Sequence, residues 1–576
     1  MADRVRPSRR QALKLALTAA GAGTAVLAGG GWPAPAPAVW AETPGAAPAA
    51  VPLPPLGVIA LNRLAFGPRP GHLDYATFDG MAGATPAEKL ASFVDWQLNL
   101  TAEGSECTTR LANAGLATLN LSLTQLWSTY GADGADRVRP VRDVRAATLI
   151  RALYSQRQLY ELAVDFWHNH FNIYAWDYGY ASLTWAHWDR TVIRAHALGN
   201  FRQMLGAVAA HPAMLFYLDN YLNQVAGFNE NWARELCELH TLGAENYLGV
   251  RDPMTVPTLS FPGGGNFPAG TAVAEGYVDN DVYEIARAFT GWRVEDGWWP
   301  VAADTGNFLY YADWHDKANK FVLGRYFPNS QANDPQRDGN DALDLLAYHP
   351  GTARHVCRKL CRRFVGDDPS DALVNAAADV FIAERFQADQ LRRVLRFILL
   401  SDDFQSTFGE KIKRPFEAAV GALRAVNADV RPELDGFYWH FDEIGQPLFE
   451  WRPPNGYPDT RAAWLSSVSL LKRWQFVNSA IEGWIDHWEA GVSTELVAID
   501  VVAQSAGGGN TANQLVDFWI SRVLGRPMAN SQDRDRIVQF LRGPYSANAG
   551  LSTDHQAEYL PRAVALLLMA PDCQWR

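Results

Sequence analysis

Cysteine is scarce: five residues in 576, at Cys107, Cys237, Cys357, Cys361 and Cys573. An odd number this widely scattered excludes a disulfide scaffold and leaves packing as their role. No C-x-x-C pair occurs, which excludes thiolate zinc knuckles. Basic excess is missing too, since Lys and Arg number 51 against 62 Asp and Glu, a formal charge of −11. A net-acidic chain without a basic tract is repelled by phosphate backbones, so no nucleic acid partner is expected. Beyond the N-terminal segment no run approaches the ~20 apolar residues of a membrane span, so no integral span is expected in the mature form. The motifs G-x-S-x-G and H-E-x-x-H are absent. Gly263-Gly264-Gly265 lies in a Pro-rich loop without the strand, helix and lysine of a phosphate cradle, and no nucleotide cofactor is expected. No repeat of fixed solenoid period is present.

What is present is apolar and aromatic: 48% hydrophobic residues, 12% aromatic and only 20% charged, enough for a sizeable core. At the start, Ser8-Arg9-Arg10-Gln11-Ala12-Leu13-Lys14 precedes an uncharged Ala, Gly and Leu run, with small-residue cleavage candidates after Ala38 or Ala41. Paired arginines ahead of a weakly apolar stretch predict a twin-arginine signal peptide over 1–41 and an Ala/Pro-rich linker over 42–55. The protein is therefore expected to be exported, periplasmic or secreted. From 56 onward helical periodicity dominates, with windows at 141–168, 189–210, 229–242, 281–292, 341–364 and 415–427 among the clearest. The expected fold is mainly α: a large multi-helix body with long aromatic-rich loops at 248–280 and 293–340 and one short β-hairpin within 308–323. A break near Pro369-Ser370 divides an N-terminal helical body, 56–368, from a C-terminal one, 369–576, expected to pack as one unit.

Three polar stripes on these helices carry the candidate chemistry. Glu161, Asp165, His168 and Asn172 fall on one helical face, and His170 joins His168 if the chain becomes extended there, making Asp165, His168 and His170 candidate ligands of a divalent metal ion. Hydrogen-bonded core histidines are the alternative. In NENWARELCELHTLG, residues 229–243, Asn231, Glu235 and Glu238 share a face with Arg234 at its edge; the glutamates suit metal binding or paired acid and base roles, or else a buried ion-pair lattice. A third helix places Glu284 near Asp281, with Arg287 beside it. On the loop that follows, His315-Asp316 is a candidate acid–base pair or a solvated turn. Trp292 and Trp314 are candidates to stack a sugar or aromatic ring, and Arg234 and Arg287 to bind an anionic group.

The pieces LNRLAFGPRPG (61–71), DFWHNHFN, HPAMLFYLDN (211–220), NENWARELCELHTLGAENYLG, DVYEIARAFTGW, the His315-Asp316 loop and GQPLFEWRPPNGYPD (445–459) resemble the Domain of Unknown Function 1800 family of bacterial proteins. The resemblance runs from about residue 56 to near the C-terminus. It implies a predominantly helical, commonly exported protein, often encoded beside a sulfatase-like or alkaline-phosphatase-like companion, and it supplies no reaction. The 248–280 loop reads as an insertion, and Glu450-Trp451-Arg452 lengthens a more compact Pro-rich loop. Together these readings predict an exported enzyme, metal-assisted or using carboxylate acid–base chemistry, that hydrolyses or modifies an extracellular polymer such as a polysaccharide, or acts on a small molecule. The alternative is a non-catalytic partner or scaffold for a companion exported protein.

Overall fold

Helices start where the sequence supplies caps. Thr85 and Glu88 form a reciprocal capping box ahead of the helix Pro86–Asn99, and Thr511 with Gln514 does the same for Ala512–Leu524. Prolines occupy the first helical turn at Pro86, Pro350 and Pro415, where the missing N–H is not needed. Along Gln390–Leu399, Leu391, Val394, Leu395, Ile398 and Leu399 face the core while Arg393 and Arg396 stay outside.

The computed structural model describes residues 53–576 apart from 133, 135, 329–335, 435, 490 and 491; the expected export signal and most of the linker lie outside the described residues. The chain is mainly α, 54% helical, with strands only in two-stranded ladders among the described residues. The helices that carry the argument are α1 (Leu56–Arg63), α2 (Arg139–Tyr154), α3 (Gln158–His170), α4 (Asn231–Glu235), α5 (Asp279–Ala288), α6 (Pro350–Phe364), α7 (Pro415–Ala425), α8 (Ser467–Ile481), α9 (Ala512–Leu524) and α10 (Thr553–Met569). The span from Leu53 to Arg576 clusters as one contact unit.

The structure departs from simple periodicity at several points. The helix expected over 141–168 is two helices, because the side chain of Gln158 takes over the backbone at the break. Its amide nitrogen donates to the carbonyls of Ala152 at 3.1 Å and Ser155 at 2.9 Å, and its oxygen accepts from Phe66 N at 3.1 Å. The helix expected over 189–210 is a π-turn, Asp189–Arg194, followed by a separate helix, Phe201–Ala210, capped by Asn200, and that expected over 229–242 is Asn231–Glu235 running into a π-turn, Leu236–His240. The single hairpin expected within 308–323 is replaced by two. Strand β3 (Trp292–Asp296) pairs with β4 (Asp304–Tyr310), and β5 (Lys320–Val322) pairs with β6 (Arg325–Phe327); ahead of them, β1 (Thr258–Ser260) pairs with β2 (Ala272–Ala274) inside the long 248–280 loop. Leu323 and Gly324 turn the β5–β6 hairpin with positive φ.

α3 runs through the core, with Leu159, Leu162, Ala163, Val164 and Trp167 all buried. Its Asp165 is held by Arg363 of α6 at 3.1 Å and by Arg414 at the start of α7. Arg363 also meets Glu417 of α7, which in turn is 3.2 Å from Arg576. Lys411 extends the set to Asp367 and Asp459, each at 3.0 Å. Four side-chain carboxylates (Asp165, Asp367, Glu417, Asp459) thus face four cations (Arg363, Lys411, Arg414, Arg576), a balanced lattice joining elements on both sides of Pro369.

Burial by itself raises the Glu417 carboxyl, but Arg363, Arg576 and Arg414 overcome this and hold it well below its ordinary 4.5. A folded value below the unfolded one adds stability above about pH 4.5, and that stability is lost as the pH falls through the folded value. The melting temperature is expected to fall on acidification below about pH 5. Glu417→Gln should cost ~3–5 kcal/mol at neutral pH by denaturant titration and flatten the acid limb; a loss under ~0.5 kcal/mol would remove the lattice from the stability of the fold.

Candidate functional site

The π-turn Asp189–Arg194 sets the chemistry around α3. In an α-helix, residues five apart diverge by about 140°, whereas the wider π-turn brings them together. Arg194 Nε therefore reaches Asp189 Oδ2 at 2.9 Å, while its two terminal nitrogens pair with both oxygens of Glu161 at 3.0 Å each. Asp189 Oδ1 accepts from His168 Nε2 at 2.9 Å. That bond fixes the proton on Nε2 and leaves Nδ1 as the basic nitrogen, buried and without a hydrogen-bond partner. The imidazole sits between Phe449 and Trp185, with ring centroids 5.1 and 5.4 Å away.

The two carboxylates sharing Arg194 are driven apart. Burial raises Asp189 on its own account, but Arg194 and His168 outweigh it and hold the group well below the usual carboxylate range. At Glu161 burial prevails over the attraction of Arg194, Glu103 adds repulsion, and the carboxyl is raised. His168, Glu161 and Asp165 line one small cavity with Thr148, Phe416 and Phe449, and Thr148 Oγ1 is also without a partner. On the other side, Asp189 and Arg194 line a surface cleft of about 1130 Å³ together with Arg151 and Arg190. The Arg194–Glu161 ion pair forms the wall between the two spaces.

The metal ligands expected at Asp165, His168 and His170 do not converge. Asp165 faces Arg363 and Arg414, His168 faces Asp189, and His170 Nε2 donates to the His240 carbonyl at 3.1 Å. α3 remains helical through His170, so His168 and His170 point apart instead of forming a clip. Among the described residues, no group of three or more His, Cys, Asp or Glu side chains is placed to hold a metal ion. The donor set does not fit a shared cation, and no step is derived through one.

Glu284, Arg287, His315 and Asp316 meet in a separate network. Arg287 bonds both oxygens of Glu284 at 2.8 and 2.9 Å and Asp316 Oδ2 at 2.6 Å, and Glu284 also accepts from Phe321 N at 2.9 Å. His315 Nδ1 donates to the Thr290 carbonyl at 2.9 Å, with Nε2 3.4 Å from Asp338, which Lys320 neutralises. The side chains of His315, Lys320 and Asp338 are 1% exposed or less. Glu284 and Asp316 share Arg287, and Asp338 faces Lys320, so the network pins the 311–322 segment onto α5, and His315-Asp316 is a buried clasp in place of the solvated turn or open acid–base pair. Arg287 has its Nε and Nη1 committed to Asp316 and Glu284.

The glutamate stripe lies on the partly exposed side of α4 and its π-turn, with Glu235 and Glu238 half-buried. Arg234 pairs with Glu230 at 3.2 Å and with Asp279 at 3.5 Å, so neither contact joins it to the α3 site. Trp292 is buried edge-on against Phe289 and Phe308, which corrects its assignment as a stacking platform. Trp314 carries the Arg293 guanidinium 3.9 Å from its ring centre. Sequence reading missed Asp189, Arg194 and Thr148. The Asp189–Arg194 spacing of five places the two apart on an α-helix, and only the π-turn reveals them as partners.

A mainly helical body with a buried charge lattice and a carboxylate-held histidine is the class of protein that fold and site define. The family model described as "Protein of unknown function (DUF1800)" matches residues 59–575, and the chain belongs to that family. Comparisons with curated proteins and with solved structures found no match.

The geometry makes a spectroscopic forecast. Long-range ¹H–¹⁵N correlation spectra of histidine-labelled protein at neutral pH should show His168 protonated at Nε2 and bare at Nδ1, and Asp189→Asn should disturb that pattern. The opposite tautomer in the wild type would break the dyad.

Proposed function

We propose that the protein is an exported enzyme that hydrolyses or modifies an anionic extracellular polymer, such as a charged polysaccharide, by acid–base catalysis at His168. The observation that carries the reading is the His168–Asp189 dyad: a histidine oriented by an ionised carboxylate, with its second nitrogen unpartnered at a cavity. His168 Nδ1 takes a proton from the attacking water or hydroxyl, and Asp189 stabilises the imidazolium that results. Glu161, raised where Asp189 is lowered, is the matching proton donor. Arg151 and Arg190 in the outer cleft give the anionic groups of the substrate a landing place. A substrate anion that draws Arg194 from Glu161 would join the cleft to the inner cavity and free the donor.

His168→Asn should lower kcat by at least ~10²-fold on a polysaccharide that the wild type degrades, with KM and melting temperature little changed. A panel of sulfated, uronic and neutral polysaccharides, read by reducing-end release, supplies the substrate. Retained activity in His168→Asn, or a preference for neutral polymers, would sink the reading.

One observation favours the second reading, a partner for a companion sulfatase-like or phosphatase-like exported protein. Trp439, Trp484 and Trp488 are 65%, 64% and 67% exposed on elements around α8. Apolar surface of this extent marks interaction sites. Co-sedimentation with that companion, lost in Trp488→Ser while His168→Asn has no effect on any activity, would favour this role.

A further inference from the structure

A second cavity, apart from the α3 site, lies where α1, α7, α8 and α10 meet. It spans about 680 Å³, part of it open to solvent. Its wall is mixed: Val58, Ala419, Ile444, Phe476, Leu524 and Leu568 give it apolar surface, and three cations line it: Lys413, Arg473 and Arg526. Arg526 is neutralised by Asp572 at 2.7 Å. The other two are not. Arg473 is 3% exposed and makes one long bond, Nη1 to Gln574 Oε1 at 3.3 Å, while its Nε and Nη2 have no partner. The Lys413 ammonium makes no hydrogen bond or ion pair among the described residues, although its backbone N–H is bound to the Gln574 carbonyl at 2.8 Å. Burial lowers both groups, Arg473 to about 10, with Glu417 as the opposing charge felt from the lattice next door.

A buried guanidinium with two idle donors is costly unless an anion meets it. A pocket that combines apolar surface with unpaired cations suits a small anion on a hydrocarbon body. The planar fork of Arg473 suits the two oxygens of a carboxylate. We propose that this cavity is a binding site for an amphiphilic monocarboxylate, with Arg473 and Lys413 holding the carboxylate and the α7–α8–α10 walls holding the chain. The hydrophobic portion supplies affinity, and the two cations select acid over neutral analogue.

The probe is octanoate, with octanol as its neutral counterpart, titrated into the full-length protein by calorimetry and followed by thermal shift. Octanoate should bind one per chain and raise the melting temperature progressively with its concentration, and octanol should bind at least ~10-fold more weakly. Arg473→Met and Lys413→Met should each weaken octanoate by about ten-fold or more and leave octanol unchanged. Lys413 is only partly buried, so Lys413→Met keeps the test open should Arg473→Met not fold. Equal binding of octanoate and octanol, unaltered octanoate affinity in Lys413→Met, or no binding at all would overturn the proposal. Because His168 plays no part here, loss of this binding leaves the acid–base reading untouched, and the reverse also holds.

Discussion

The buried lattice around Asp165, Arg363, Arg414, Glu417 and Arg576 is the constraint on which the rest of the structure depends. α3 is hydrophobic on nearly every side, and it enters the core because both of its carboxylates find arginines: Glu161 meets Arg194, and Asp165 meets two from α6 and the start of α7. Removing a partner from such a set leaves a bare charge in a low-dielectric interior, which costs far more than the intact pairs contribute. The lattice therefore acts as a register lock: α3, α6 and α7 fit together in the one arrangement that balances four positive and four negative side chains.

Fixing α3 in this way also fixes what its other polar groups can do. Asp165 is spent on structure, whereas Glu161 and His168, one turn to either side on the same stripe, turn to the π-turn Asp189–Arg194. A π-turn sacrifices regular helical geometry, and such segments persist where a side-chain arrangement requires them. Here the requirement is one arginine between two carboxylates whose proton affinities diverge. The Glu284–Arg287–Asp316–Lys320–Asp338 set shows the contrasting use of similar residues: each carboxylate faces a cation, and the result is a clasp that holds a loop.

Much of the architecture was legible in the chain. Capping boxes at Thr85 and Thr511, prolines at helix starts and the apolar period of 390–399 mark helices by local physics, and local physics survives into the fold. The polar stripe Glu161, Asp165, His168 was visible for the same reason, since a 100° rotation per residue places its members on one face. What the stripe would meet was not visible. A carboxylate facing arginines, a histidine facing an aspartate and a pair of metal ligands share the same local pattern, and sequence neighbours do not choose among them. The break at Gln158 was hidden because a side-chain amide, reaching Phe66 from 92 positions away, replaces the helical hydrogen bonds there.

The sequence by itself determined the class of fold, the helix starts and the stripe, because these depend on residues within a few positions of one another. Tertiary structure alone decided that Asp165 belongs to a lattice closed by Arg576, that Asp189 and Arg194 meet through a π-turn, and that Arg473 lines a cavity with two of its nitrogens unpartnered. Each of those outcomes is an electrostatic match between groups distant in the chain, or a failure to match. The energy of a buried charge is set by whatever stands opposite it in space, which a one-dimensional pattern does not contain.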